Sequence, residues 1–269
     1  MSKTTFEDMF GTLKGKHCET CKEPIYQEKD GVVFPRSCEC RRKDIEKYDK
    51  GLELEEKRQK QEIVMSLYST SNIGERFQHR TFSVFEQEKQ PVAFEICRRY
   101  CEKFSELKAK GEGLVLMGTV GTGKTHLAGA IANELIKKQF KTVIFTTIAQ
   151  IMDSIKAEFD NKKEKKTQHI YTCELLILDD IGKEKTSDYM KEKLFEIINT
   201  RYERLLPIII TTNLDMKGFR AFLGEALFSR IVEQSHFINI KGEDYRLRNL
   251  NNRSIKGNSE LRVIKTKDK

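Results

Sequence analysis

The chain has 269 residues, 38% of them apolar and 33% charged, with a formal net charge of +8 and a pI near 9.0. No run of about 18 apolar residues is present, which excludes a membrane-spanning helix, and Met1–Asp8 lacks the apolar core of a signal peptide; a cytoplasmic protein with no membrane partner is expected. The length suits one large domain plus a small one, and the positive charge suits a polyanionic partner without specifying it.

Cysteines come first. Four of the seven lie close together as Cys18-x2-Cys21 and Cys38-x-Cys40. In a cytosolic chain such pairs point to a metal or to burial rather than to disulfides. A turn-rich segment with Pro24, Gly31 and Pro35 separates them, and Ile25–Gln27 and Val32–Phe34 read as a short hairpin. So small a segment has no core of its own, and a Zn²⁺ held by the four thiolates would supply the missing stability. With four protein ligands the role is scaffolding. His17 could replace one cysteine, and free thiols or redox use are the alternatives.

Residues 41–70 are rich in Lys, Arg and Glu and contain no proline. They read as an exposed helix, either a solvated spacer or a partner-binding element. Ile73–Phe77 and Thr81-Phe82 precede a helix expected from about Val92 to Leu107, and this segment could pack near a nucleotide base. Cys97 and Cys101 share a face of that helix and read as core thiols.

Gly113–Met117 is short and apolar, as a buried parallel strand should be. The loop Gly118-Thr119-Val120-Gly121-Thr122-Gly123-Lys124-Thr125 follows and fits G-x-x-x-x-G-K-[ST] at every fixed position. Then Leu127, Ala128, Ile131, Ala132, Leu135 and Ile136 recur at helical spacing. Strand, glycine loop and helix together make a phosphate cradle: backbone N–H groups and the helix N-terminus face the anion. Lys124 reaches the β- and γ-phosphates, and the Thr125 hydroxyl ligates Mg²⁺.

A strand is expected at Thr142–Thr147, a helix from Ala149 to about Phe159, and an exposed basic loop at 161–166. Leu175–Leu178 runs directly into Asp179-Asp180. A buried strand delivers such carboxylates at its C-terminal edge, where ligands sit in an open α/β sheet. Asp179 would hold Mg²⁺; Asp180 would orient or deprotonate the attacking water. The next helix, Tyr189 to about Leu205, places Met190, Leu194, Ile197, Ile198 and Tyr202 on one face. Pro207–Asn213 is a strand ending in polar residues; Asn213 is either a turn former or, as the resemblance given below implies, a partner of a γ-phosphate or the lytic water. Phe228–Ile231 ends a helical stretch, Phe237–Ile240 is the last strand, and residues 251–269 form a basic, loose tail.

These motifs resemble the AAA+ ATPases of the bacterial helicase-loader group, the DnaC/DnaI type, including phage-encoded versions. The likeness spans roughly residues 15–250. It is carried most by Asp179-Asp180-Ile181-Gly182, Glu184-Lys185, Glu196–Asn199, Arg201-Tyr202 and Ile210–Leu214, and by the cysteine pairs followed by arginines. It implies an α/β three-layer sandwich, an ASCE-type parallel sheet with the Asn213 strand between the phosphate-loop strand and the Asp179 strand. It also implies four segments: a zinc-binding, helicase-interacting module at 1–45, a helical linker at 46–71, the AAA+ domain at 72–250 and the tail at 251–269. ATP would sit at a subunit interface, so that the domain self-associates. Arg230 would match the arginine finger offered to a neighbour's ATP, and Arg246 the sensor arginine on the nucleotide's own subunit. Many AAA+ proteins have Asp-Glu where this chain has Asp179-Asp180, so hydrolysis would be slow, as suits a switch. The expected function is ATP-dependent loading of a hexameric replicative helicase onto single-stranded DNA. The alternatives are an IstB-like helper of a transposase, whose relatives generally lack the cysteine module, and a DNA-binding regulatory ATPase.

Overall fold

A computed structural model describes residues 15–161, 167–182 and 187–245. Arg246, the basic run from Lys162 to Lys166 and the tail lie outside the described residues. The chain forms two compact units, one up to Ile63 and one from Val64 onward.

The first unit contains the expected hairpin, β1 (Tyr26–Lys29) antiparallel to β2 (Val32–Pro35). Lys29 pairs with Val32, so the turn is the dipeptide Asp30-Gly31 alone, with φ of 53° and 79°. Two successive positive φ angles make the two-residue turn that matches strand twist, which is why Asp-Gly stands there. Helix α1 (Glu39–Thr70) is the helix expected over residues 41–70, begun two residues earlier. Its exposed face is laced by pairs such as Lys43–Glu39 and Arg58–Glu55, each of small worth on a solvated helix.

The second unit is built on a five-stranded parallel sheet in the order β4-β5-β6-β3-β7. The strands are β3 (Gly113–Met117), β4 (Val143–Thr146), β5 (Leu175–Ile181), β6 (Ile208–Thr212) and β7 (Ser235–Asn239). The β6 strand, which leads into Asn213, therefore lies between the phosphate-loop strand and the Asp179 strand, as the resemblance implied. Strands β3 and β6 are buried along their whole length because helices cover both sheet faces. On one face Leu114, Leu116 and Ile177 meet Leu127, Ile131 and Leu135 of α5 (Lys124–Gln139), with α3 (Pro91–Glu102) outside it. On the other face Val115, Leu176, Leu178 and Ile210 meet Ile151 of α6 (Ile148–Asn161) and Met190 and Leu194 of α8 (Asp188–Glu203).

Two expectations need correction. The helix from Val92 to Leu107 is two helices: α3 stops at Glu102, and α4 (Phe104–Ala109) restarts after Lys103. The break turns Phe104 fully into the core. Cys97 and Cys101 are buried thiols as expected, and burial pushes Cys97 up to about 12. Short helices α2 (Glu75–Gln78), α7 (Gln168–Thr172) and α9 (Met216–Leu223) stand before α3, β5 and α10 (Glu225–Gln234) respectively. On α8 the residue that completes the buried face is Arg201, not Tyr202: Arg201 has no exposed surface and Tyr202 is only partly covered. The Arg201 guanidinium donates to the carbonyls of Ile170, Cys173 and Pro207. It stitches the N-terminal ends of β5 and β6 together through backbone acceptors that a tyrosine could not serve.

Candidate nucleotide-binding site

The phosphate loop leaves β3 and enters α5 with Gly118, Gly121 and Gly123 at φ of 149°, 78° and 100°. Gly123 is the residue before the first helical turn, and the Phe85 ring packs where its Cβ would be. An alanine at Gly121 would collide with Asp244. Positive φ and close approach both demand glycine here. The loop amides and the N-terminus of α5 thus face one concave site. Lys124 is 5% exposed and donates to the carbonyls of Gly118 (2.8 Å) and Thr119 (2.6 Å), which hold its ammonium across the loop.

Asp179 and Asp180 reach the site because β5 is irregular. Leu178 pairs with Ile210 and Ile181 with Thr212, so three residues of β5 span two of β6. Asp180 sits at φ 63° within this bulge. In a regular strand Asp180 would point with Leu176 and Leu178 into the core. The bulge gives that place to Ile181 instead and leaves both carboxylates at the ligand edge. Positive φ is uncommon for a residue with a side chain, and such positions gather at functional sites.

The two acids have different surroundings. The hydroxyls of Thr125 (2.9 Å) and Thr211 (2.6 Å) both donate to Oδ1 of Asp179. Thr211 in turn accepts from the Asp180 amide at 2.8 Å. Burial and the neighbouring Asp180 charge raise the Asp179 pKa, against the two hydroxyls and Lys124. Asp180 instead accepts from the Asn213 side-chain amide at 2.8 Å. A buried carboxylate beside a threonine hydroxyl is a hard-oxygen donor set that fits Mg²⁺. Thr211 was not singled out from the sequence, although a hydroxyl two residues before Asn213 could have been.

A measurable consequence follows for stability. A carboxyl whose folded pKa is raised contributes stability that is present below its unfolded pKa and lost as pH rises. Asp179→Asn therefore makes the metal-free protein more stable than the parent at pH 7. The difference shrinks as pH falls through the carboxylate range. Thermal unfolding at pH 7 and pH 4 reads this; a destabilised variant at pH 7 would mean that the Asp179 hydrogen bonds outweigh its burial.

One cavity of about 1010 Å³ runs past these groups and is large enough for a nucleoside triphosphate. Lys124, Thr125, Asp179, Asp180 and Asn213 line it, together with Arg76, Phe77, Arg80, Phe85, His126 and Tyr245. The segment before α3 thus forms a wall of the cavity. The sequence pointed to this segment but not to Arg80, His126 or Tyr245, whose proximity is set by tertiary packing. Arg230 is not among the lining residues. It lies on α10 (Glu225–Gln234), donates to Ala226 O, and its guanidinium faces the rings of Phe195 (5.5 Å) and Tyr202 (5.6 Å).

The first unit carries a separate cluster. The Sγ atoms of Cys18, Cys21, Cys38 and Cys40 all lie within 4.8 Å of one another. Cys40 approaches Cys38, Cys18 and Cys21 at 3.1, 3.3 and 3.5 Å. The first pair sits in a turn closed by Lys22 N–H to Cys18 O (2.9 Å) with Lys22 at φ 58°. The Cys21 amide, the Cys40 thiol and the Thr20 amide lower Cys18 to about 6, while hydrogen bonding to Cys38 first and to Cys18 next raises Cys40. Four converging sulfurs, one already inclined to thiolate, form a set that can hold a tetrahedral metal. His17 is not in the set; its Nδ1 lies 2.9 Å from Gly15 O. Among the described residues no helix is long and apolar enough to cross a membrane.

Several known proteins are similar to this chain. Residues 78–253, well over half of the chain, match the family of IstB-like ATP binding proteins. The replicative helicase loader DnaC of Escherichia coli (strain K12) is 31% identical over 187 residues, covering 67% of this chain and 75% of that one. The insertion sequence IS5376 putative ATP-binding protein of Geobacillus stearothermophilus is 32% identical over 174 residues, covering 63% and 68%. A crystal structure of the DnaC helicase loader superposes with a TM-score of 0.57 at 28% identity, covering 62% of this chain and all of that one. The chain belongs to the IstB-like ATP-binding protein family, with the AAA+ fold and with DnaC helicase loaders among its relatives.

Proposed function

We propose that this protein is a slow ATPase that loads a replicative DNA helicase onto single-stranded DNA. The observation that carries the loader reading is the likeness to DnaC over two thirds of the chain. The convergence of the phosphate loop with Asp179, Asp180 and Asn213 in one cavity supports ATP turnover. Lys124 binds the β- and γ-phosphates, and the loop amides hold the rest of the triphosphate. Thr125 and Asp179 hold Mg²⁺, which when bound neutralises charge on the phosphate oxygens. Asp180, steadied by Asn213, orients the attacking water and takes its proton. Arg230 is offered to the ATP of a neighbouring subunit, and Arg246 serves the nucleotide of its own. The short Asp180 side chain keeps hydrolysis slow, so ATP acts as a switch. The cysteine module, holding Zn²⁺, and α1 grip the helicase, and basic surface of the ATPase domain contacts single-stranded DNA in the cytoplasm.

The test is affinity capture and native mass measurement with the replicative helicase of the same host, with and without ATP. Lys124→Ala is expected to retain the complex but not its ATP-dependent release. A Cys18→Ser/Cys21→Ser variant is expected to lose it. The likeness to the IS5376 protein supports the rival reading. No complex under any condition overturns the loader reading in favour of the transposition helper, with a transposase as the partner to test.

A further inference from the structure

Helix α5 carries His126, Gly129 and Asn133 at spacings of three and four, so they share a face. This face holds the segment from Phe77 to Thr81 at two points. Asn133 is 1% exposed, and its amide donates to the carbonyls of Phe77 (2.8 Å), Arg80 (2.8 Å) and Gly129 (2.9 Å), while its oxygen accepts from the Tyr68 hydroxyl. A Cβ on Gly129 would lie 3.2 Å from Arg80 Cβ, so glycine lets the arginine stem settle on the helix.

The second point is His126. Its Nε2 lies 3.1 Å from Thr81 O and its Nδ1 3.3 Å from Nη1 of Arg80. A carbonyl only accepts and a guanidinium only donates, so these partners fix the tautomer: Nε2 carries the proton and Nδ1 the lone pair. The Phe85 ring meets the imidazole edge-on at 5.1 Å.

Along the first turn of α5, Thr125 turns to Asp179. His126, about 100° further round the helix, turns to Arg80 instead. The metal-side carboxylates and Arg80 therefore serve different parts of one cavity.

We propose that Arg80, clamped by His126, contacts the nucleoside half of the bound nucleotide and donates hydrogen bonds to acceptor atoms of its ribose and base. This rests on the reading of the cavity as the ATP site. His126 is a positioning residue that acts through Arg80.

The experiment compares equilibrium binding of ATP and of inorganic triphosphate to the full chain. Arg80→Ala is expected to weaken ATP roughly tenfold or more, the scale of one charge-assisted hydrogen bond, and to leave triphosphate binding unchanged. Retained triphosphate binding also shows that the variant is folded. Lys124→Ala should weaken both ligands; if it weakens neither, the cavity is not the ATP site and that reading fails separately. Two substitutions separate the tie to Arg80 from the tie to Thr81. His126→Asn places an acceptor at the Nδ1 position and is expected to bind ATP nearly as the parent does. His126→Gln keeps only the donor at the Nε2 position and should behave like Arg80→Ala. Equal weakening of ATP and triphosphate by Arg80→Ala, or of neither, overturns the proposal. Rescue by Gln and not Asn overturns the clamp, since the Thr81 tie would then be what matters.

Discussion

Asp180→Asn is expected to lower ATP turnover by about 10²–10⁴-fold, the range for losing a general base, while ATP affinity stays within about twofold. The reason is the division of labour between the two carboxylates. Asp179 is tied through Oδ1 to Thr125 and Thr211, so its loss disturbs the metal side of the site. Asp180 is held by Asn213, lines the cavity, and makes no hydrogen bond to the Thr125 hydroxyl. Asparagine keeps the shape of the side chain and still accepts from Asn213, but it cannot take a proton. Single-turnover hydrolysis alongside equilibrium ATP binding separates the two effects. Equal losses in turnover and affinity would make Asp180 a binding group; unchanged turnover would place the base elsewhere. Asp180→Glu tests whether reach limits the rate. If one methylene is what slows hydrolysis, the longer side chain raises turnover, although the φ of 63° is no easier for glutamate than for aspartate.

The parts of this site that were legible in the sequence are those whose chemistry is local. Gly118–Thr125 is contiguous, and its glycines state their own backbone requirement. Leu175–Asp180 announces a buried strand ending in acids because burial and ionisation cannot coexist along one run. The Asp30-Gly31 turn is likewise encoded in two residues. What escaped depends on contacts distant in the chain. The bulge that turns Asp180 out of the core is a mismatch between β5 and β6, and neither strand reveals it alone. Asn133 reads as a polar interruption in an apolar helix until the carbonyls of Phe77 and Arg80 are placed against it. Tyr202 reads from the sequence as the buried residue because a charge on a buried face is normally excluded; three backbone carbonyls make Arg201 acceptable there. Lys103 interrupts a helical pattern without proline or glycine, because the fully buried Phe104 sets the break.

Removal of metal from the cysteine module is expected to unfold that module and leave the nucleotide-binding unit intact. Among its described residues the first unit has a two-stranded hairpin of four residues each and one helix, too little to be stable without a staple. Its only fully covered apolar side chain among the described residues is Cys38, at 1% exposure, which places the thiol cluster where a core would be. Structural zinc contributes about 10–16 kcal/mol of apparent binding free energy to such a segment, far more than a hairpin can replace. The purified chain should therefore carry one zinc, and Cys18→Ser/Cys21→Ser should carry none. Thiol counting distinguishes the two populations of cysteine. With a chelator, Cys18, Cys21, Cys38 and Cys40 become reactive together, whereas Cys97, Cys101 and Cys173 are buried and react only after denaturant is added. Equilibrium ATP binding should be unchanged after chelation, because the described residues that line the cavity all lie in the second unit. Four thiols that react freely without a chelator, in a chain that retains its β1–β2 hairpin, would mean that the cluster is held by the fold and not by a metal.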